Sequence, residues 1–251
     1  MIKTVLIGSG NVAFHLSKAF RGSSQIDLIQ RYSRDHKNDQ YFDSTILKTN
    51  NINNLEPADI YVIAINDDAI STFSKQLTFN DGLVVHTSGS KPLNSLQCKA
   101  NKGVFYPLQS FSKEHELNYN KIPICIETEN KNDMQLLKSF ANSISNYVYE
   151  INSQQREKLH IAAVFANNFS NHMFKLANDI CIENNFSFEI LKPLIFETTQ
   201  KLNDLSPYDA QTGPAQRNDI EVIKKQLQQL DNNKKEIYNL VTKSIIKNYN
   251  S

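Results

Sequence analysis

Cysteine is scarce in this chain of 251 residues: Cys98, Cys125 and Cys181 are all there are. An odd, scattered set supports neither a disulfide framework nor a metal site, and leaves the thiols as core or neutral positions rather than nucleophiles. Neither sign of charge dominates. With 27 basic and 26 acidic residues, no general attraction to nucleic acid or to an anionic membrane is expected, and no local basic patch takes its place. No apolar run approaches the roughly 18 residues of a membrane span, and the opening residues have neither the basic start nor the cleavage site of a signal peptide. These absences lead us to expect a cytoplasmic protein without metal, membrane or nucleic-acid partners. What is present, 40% hydrophobic and 10% aromatic residues, is globular, and the length suits one large domain or two modest ones.

Glycine is scarce too, and two of the seven stand at positions 8 and 10. A short β-branched run, Thr4-Val5-Leu6-Ile7, ends in Gly8-Ser9-Gly10-Asn11-Val12-Ala13, and a helical pattern of Val12, Leu16, Ala19 and Phe20 starts at once. Gly-x-Gly-x-x-Ala at a strand-to-helix turn is the setting of a dinucleotide phosphate site. The first glycine permits the tight turn, the second lets the backbone approach a pyrophosphate, the alanine lets helix pack on strand, and the helix N-terminus offers free N–H groups. Gly8, Ser9, Gly10, Asn11 and Val12 are therefore candidate cofactor residues. An ordinary glycine turn is the plain alternative.

Strand-like runs at 4–7, 26–30, 60–65, 83–86, 103–106 and 124–127, with a shorter one at 44–48, alternate with helices or loops, the rhythm of a parallel sheet with crossovers. After a helix at 132–145 and a short run at 147–151 the strand signals stop. The rest reads as helices at 153–184, 188–205 (interrupted at Pro193), 219–231 and 234–248. The expected fold is α/β: a Rossmann doubly wound, mainly parallel sheet over 1–151, followed by an all-α domain over 152–251.

About 20 residues beyond the glycine turn, a site for NAD(H) usually offers an acidic residue to the ribose. Here the strand runs into Gln30-Arg31-Tyr32-Ser33-Arg34. Arg31 and Arg34 could pair a 2′-phosphate, Arg34 could stack on adenine, and Ser33 adds a hydroxyl, which favours NADP(H) over NAD(H). A solvated loop is the alternative, and nearby Asp35 weakens the argument. Two further strands end in Ala64-Ile65-Asn66-Asp67-Asp68 and His86-Thr87-Ser88-Gly89-Ser90, at the carboxyl edge where ligands collect. Ile65, Asn66 and Ser88 join the candidate cofactor residues, and Ser88 also stands as a substrate contact. Asp67 and Asp68 read as caps for the following helix. In 103–111, Tyr106 and Gln109 either face a crevice or merely pack.

The long helix from 153 has an apolar seam, Leu159, Ala162, Ala166, Phe169, Met173, Ala177 and Ile180, expected to be buried. At about 100° per residue, His160, Val164, Asn167 and Asn171 form a second stripe, flanked by Asn168 and His172. A surface helix would carry Lys and Glu there, so its middle turns read as enclosed on both sides. A substrate wall and a satisfied core or subunit-interface helix explain the pattern equally well. Near the end of the chain, Gly213-Pro214 makes a rigid turn, Asn218 and Glu221 form a capping pair, and Arg217 either clamps a substrate carboxylate or bridges to Asp204 or Asp209.

Five blocks in order, 8–16 (GSGNVAFHL), 86–90 (HTSGS), 103–111 (GVFYPLQSF), 160–169 (HIAAVFANNF) and 212–219 (TGPAQRND), resemble the Rossmann-like proteins whose second half is the domain of unknown function DUF2520. The resemblance implies an NADP-binding fold akin to the F420-dependent NADP reductase-like and pyrroline-5-carboxylate reductase-like groups. It also implies a helical second domain like that of the 6-phosphogluconate and β-hydroxyacid dehydrogenases. Those hydroxyacid enzymes place a catalytic Lys four residues before an Asn. The Asn matches Asn168, but Val164 occupies the lysine position. His160 is the nearest replacement acid on that wall. The expectation is an NADP(H)-dependent oxidoreductase acting on a small carbonyl or imine, with His160 and Asn168 catalytic and Ser88, Asn167, Asn171 and Arg217 contacting substrate. A homodimer is expected. The alternative is a regulatory or scaffolding protein that binds NADP(H) without catalysis.

Overall fold

The opening β-branched run forms β1 (Ile2–Ile7), inside an eight-stranded sheet. In the computed structural model, which describes residues 1–35 and 38–249, the other strands are β2 (Ile26–Tyr32), β3 (Leu47–Thr49), β4 (Ile60–Ile63), β5 (Leu83–His86), β6 (Asn101–Pro107), β7 (Ile124–Thr128) and β8 (Val148–Glu150). Their order is β3-β2-β1-β4-β5-β6-β7-β8. The first six run parallel in the doubly wound Rossmann order. β7 turns antiparallel on β6, and β8 is parallel to β7.

The central strands read as continuous Val, Ile and Leu because both faces are covered. On one face Leu6, Val62, Val85 and Phe105 pack with Leu16 and Phe20 of α1 (Asn11–Gly22) and Leu137 and Phe140 of α3 (Lys131–Asn142). On the other, Val5, Ile7, Ile63 and Val84 pack with Ile70 and Phe73 of the short α2 (Ile70–Ser74) and with Leu96 and Leu77. Burying each such side chain contributes about 1.5–3 kcal/mol.

Beyond β8, α4 (Ser153–Ala163) opens with a capping box: Asn152 accepts from the Gln155 N–H while the Gln155 side chain accepts from the Asn152 N–H. Arg156 anchors this helix to the sheet. Its guanidinium, 1% exposed, pairs with Glu127 of β7 and donates to the Lys91 carbonyl at 2.7 Å. The Ser153 hydroxyl, on Glu127, accepts from the Leu93 N–H at 2.9 Å.

The chain divides into two compact units, Met1–Asn168 and Phe169–Ser251. The sheet ends at Glu150, but α4 and most of the turn that follows it belong to the first unit. The second holds α5 (Ser170–Glu183), α6 (Lys192–Gln200), α7 (Ile220–Leu227) and α8 (Asn232–Tyr249). No helix among the described residues is long and apolar enough to cross a membrane.

Several local expectations give way. The helix read as continuous over 153–184 contains a π-helical segment, Val164–Phe169, whose wider turn breaks the 100° phase used to line up residues on either side of it. Pro193 opens α6 rather than interrupting a helix, since its missing N–H is no loss in a first turn. Asn218 is left-handed, with φ +55, and α7 starts from Asp219 without a side-chain cap, so the Asn218–Glu221 pair does not form. The apolar seam is not buried within one chain: Phe169, Met173 and Ile180 are 48%, 37% and 38% exposed. The middle turns are not enclosed on both sides either, Ile161 and Phe165 being exposed. An apolar period marks a face that needs cover without specifying the cover.

Candidate functional site

The turn after β1 is shaped by two glycines with different reasons to be glycine. Gly8 has φ +141, and a Cβ there would stand 2.1 Å from the Ala64 carbonyl oxygen at the end of β4. It is required by conformation and by close approach. Gly10, the N-cap of α1, has an ordinary φ of −78 and ψ of −173, and a Cβ there would meet nothing within 4 Å. Its missing side chain leaves open space in front of a helix start that carries no acidic residue and no side-chain cap. Such a helix N-terminus is an anion site.

That space belongs to a cavity of about 1070 Å³ built entirely from the first unit, slightly above the range of about 300–1,000 Å³ usual for ligand clefts. Of the expected cofactor residues, Gly8, Ser9, Gly10, Asn11, Val12, Ser33, Arg34, Ile65 and Asn66 line it, as do His160, Asn167 and Asn168 of the expected wall. Leu159, Ala162 and Ala166 line it too, so the apolar seam and the polar stripe of α4 and the π-helical segment after it meet in one wall. Asn11 ties the far rim down by donating to the Phe111 carbonyl at 2.9 Å, and His15, buried, binds the Ser112 carbonyl at 2.8 Å and the Tyr119 hydroxyl at 3.1 Å.

At the end of β2 the two arginines separate. Arg31 is 1% exposed, paired with Asp39 and stacked 4.0 Å from the Phe42 ring centre, and it does not line the cavity. A strand residue pointing into packing cannot meet a ligand, so the expectation for Arg31 fails. Arg34 is exposed, lines the cavity and makes no ion pair or hydrogen bond with any described residue. The Ser33 hydroxyl donates to the Asp35 carbonyl at 2.9 Å, closing the turn. Among the described lining residues Arg34 is the one Lys or Arg side chain.

Ser88 is not brought to the cavity. It is 5% exposed, donates to Asp67 at 2.7 Å and accepts from the N–H groups of Ser90 and Lys91, so its hydroxyl holds a turn together. The Ser90 hydroxyl also donates to Asp67, at 2.6 Å. Asp67 thus receives two hydroxyls instead of capping the following helix, whose start has no side-chain cap bond. Beneath the turn, His86 accepts from the Ser88 N–H at 3.2 Å, and burial, with Arg156 nearby, pulls its pKa down to about 4. Asn171 and Arg217 lie in the second unit, and both are exposed. Arg217 pairs with neither Asp204 nor Asp209 among the described residues. Burial pushes the Cys98 and Cys125 thiols up, the direction of inert sulfur.

Tyr106 is the residue the sequence left open. At the end of β6 it lines the cavity, and its hydroxyl lies 2.9 Å from His160 Nδ1. Burial pushes its pKa to about 12, so it stays a phenol. Thr72, Phe73 and Gln76 also line the cavity with no sequence signal, because α2 and its exit are too short to show a period.

A family model described as a domain of unknown function, DUF2520, matches residues 122–245. Over 98% of each chain, the protein is 37% identical to a Bacteroides fragilis protein described as a "putative NADP oxidoreductase", with a TM-score of 0.89. A Thermotoga maritima protein, 18% identical, covers 99% of this chain and 100% of its own with a TM-score of 0.80. Pyrroline carboxylate reductase of Plasmodium falciparum, solved with NADP bound, is 14% identical over 99% of this chain and 97% of its own, with a TM-score of 0.65. No curated protein matches the sequence.

Proposed function

We propose, from the premise that this chain belongs to the family of Rossmann-like proteins with a DUF2520 domain, that it is an oxidoreductase which binds NADP(H) and acts on a small carbonyl or imine. One observation carries the reading: the glycine turn, the free Arg34 and the His160–Asn168 wall open into a single cavity. The residues fit the cofactor. The open space at Gly10 and the start of α1 suit a pyrophosphate, and Arg34 suits a 2′-phosphate. Bound there, NADP(H) would supply or accept a hydride.

The chain's own part is to bind and orient. Asn167 and Asn168 offer amide donors and acceptors to the reacting group, and His160 holds the proton that a carbonyl oxygen needs on reduction. An imine needs less help, because its protonated form is already electrophilic. Val164 at the lysine position argues against a hydroxyacid substrate more than against hydride transfer itself.

We also read the protein as a homodimer. Within the second unit Leu176, Cys181 and Ile223 are the buried apolar residues among those described, while Phe186, Ile190, Leu194, Phe196 and Leu240 are each more than 60% exposed. A helical unit of that size needs a larger core, and a second copy of the same surface is the economical source.

Calorimetric titration with NADPH and NADH tests the cofactor. NADPH should bind more tightly, and Arg34→Ala should remove most of the difference, a loss of about 10- to 100-fold for one charge-assisted contact. Equal or tighter binding of NADH would sink the 2′-phosphate assignment.

A further inference from the structure

Tyr106 and His160 are 54 residues apart in sequence, and the only hydrogen bond described for either side chain is the one they share. A phenol at 8% exposure has one proton to place. If His160 donated from Nδ1, the Tyr106 O–H would have no described acceptor, and an unmade buried donor costs about 1–3 kcal/mol. If Tyr106 donates instead, Nδ1 is the acceptor, the imidazole proton sits on Nε2, and both groups are satisfied at that contact. His160 Nε2 has no described partner in the chain, and the ring lines the cavity.

Gly89 supplies a second, independent sign that this contact is built. Its φ is not positive, so conformation does not demand glycine. A Cβ at 89 would lie 2.6 Å from His160 Nδ1 and 2.7 Å from Tyr106 Cζ. The glycine is there for room, beside the atoms that share the hydrogen bond. Arg156, one helical turn before His160, fixes α4 to β7 and so sets the distance.

We propose that Tyr106 is a positioning residue of this site: its hydroxyl holds His160 in the Nε2–H tautomer, with Gly89 making the space, so that the cavity presents a fixed N–H donor to the oxygen or nitrogen of its ligand. What the donor is used for rests on the reductase reading. The tautomer itself does not, and it is measured on the protein without cofactor.

The measurement is imidazole 15N NMR of histidine-labelled protein at alkaline pH, with His160→Gln assigning the signal. The unmodified chain should show a protonated Nε2 and an unprotonated Nδ1. Tyr106→Phe, which keeps the ring, should move both nitrogens toward the tautomer-averaged values. Gly89→Ala, which wedges the pair apart from the backbone side, should do the same and covers the case in which Tyr106→Phe does not fold. An averaged or Nδ1–H pattern in the unmodified protein overturns the proposal, as does a His160 signal that neither variant shifts. Tyr106 acting only as packing would leave the tautomer where it was. Loss of NADPH binding bears on the cofactor reading alone.

Discussion

Replacing Gly8 and Gly10 separately by alanine divides the fold from the ligand. At position 8 the new Cβ would meet the Ala64 carbonyl oxygen at 2.1 Å and its carbon at 2.9 Å, on a residue with φ +141. Holding alanine in that backbone region costs about 1–3 kcal/mol, and relieving the clash adds about 1–3 kcal/mol. Ala64 cannot yield freely, because its N–H bonds the Ile7 carbonyl at 2.7 Å. Gly8→Ala should therefore lose roughly 4 kcal/mol, lowering the urea midpoint by about 1–4 M for a slope of about 1–3 kcal/mol/M. At position 10 the backbone is already suitable for alanine and the space is empty. Alanine is a poorer N-cap than glycine, while the unfolded chain loses entropy worth about 0.4–1 kcal/mol, so the two effects nearly cancel and the midpoint should hardly move. Binding should move instead. A methyl where phosphate approaches the helix N-terminus removes charge-assisted hydrogen bonds of about 1.5–3 kcal/mol, or about 10- to 100-fold in NADPH affinity. Urea unfolding and cofactor titration on both variants decide the matter. A Gly8→Ala protein as stable as the parent, or a Gly10→Ala protein that binds NADPH normally, would refute the reasoning.

Burial keeps His86 neutral to about pH 4 in the fold against an ordinary 6.5, so the unfolded chain takes up the proton first; the stability is fully present above pH 6.5 and about 3 kcal/mol is lost as pH falls toward 4. His86→Asn, which keeps an acceptor for the Ser88 N–H, should flatten that part of the pH–stability curve, and an unchanged curve would rule the assignment out. Arg156→Met leaves Glu127 partly buried without its partner and should cost about 3–5 kcal/mol in urea unfolding, whereas adding Glu127→Leu should restore much of it. A single variant of unchanged stability would show that α4 is held by something else. Sedimentation at micromolar concentration should give a dimer, and Phe165→Glu should give monomers or insoluble protein; a clean monomer of the parent would remove the dimer proposal.

Much of the sheet was legible because strand signals are local. The β-branched runs, the turn residues and the Gly-x-Gly-x-x-Ala start mark β1, α1 and the Rossmann rhythm from neighbours in sequence alone, and the loss of strand signals after Glu150 marks where the sheet ends. Gly8 was legible for the same reason. His160, Asn167 and Asn168 were readable as an odd stripe, uncharged yet polar, but as α4 enters a π turn the same projection lost its phase. Ser88 and Arg31 looked available because a hydroxyl and a guanidinium beside a sheet edge carry no mark of being already engaged. Their partners, Asp67 and Asp39, are 21 and 8 residues away.

By itself the sequence determined the strand order's raw material, the glycine turn and the faces that must be covered, since each follows from backbone preference or from the spacing of apolar side chains along one element. Tertiary structure alone decided which polar groups remain free to meet a ligand and which are engaged in holding the fold: Arg34 free and Arg31 buried, Ser88 bound to Asp67, Tyr106 set against His160 with Gly89 beneath them. The physical reason is that a hydrogen bond's partner is chosen by distance in space. Residues as far apart as Tyr106 and His160 come within 2.9 Å only after β6 and α4 have taken their places.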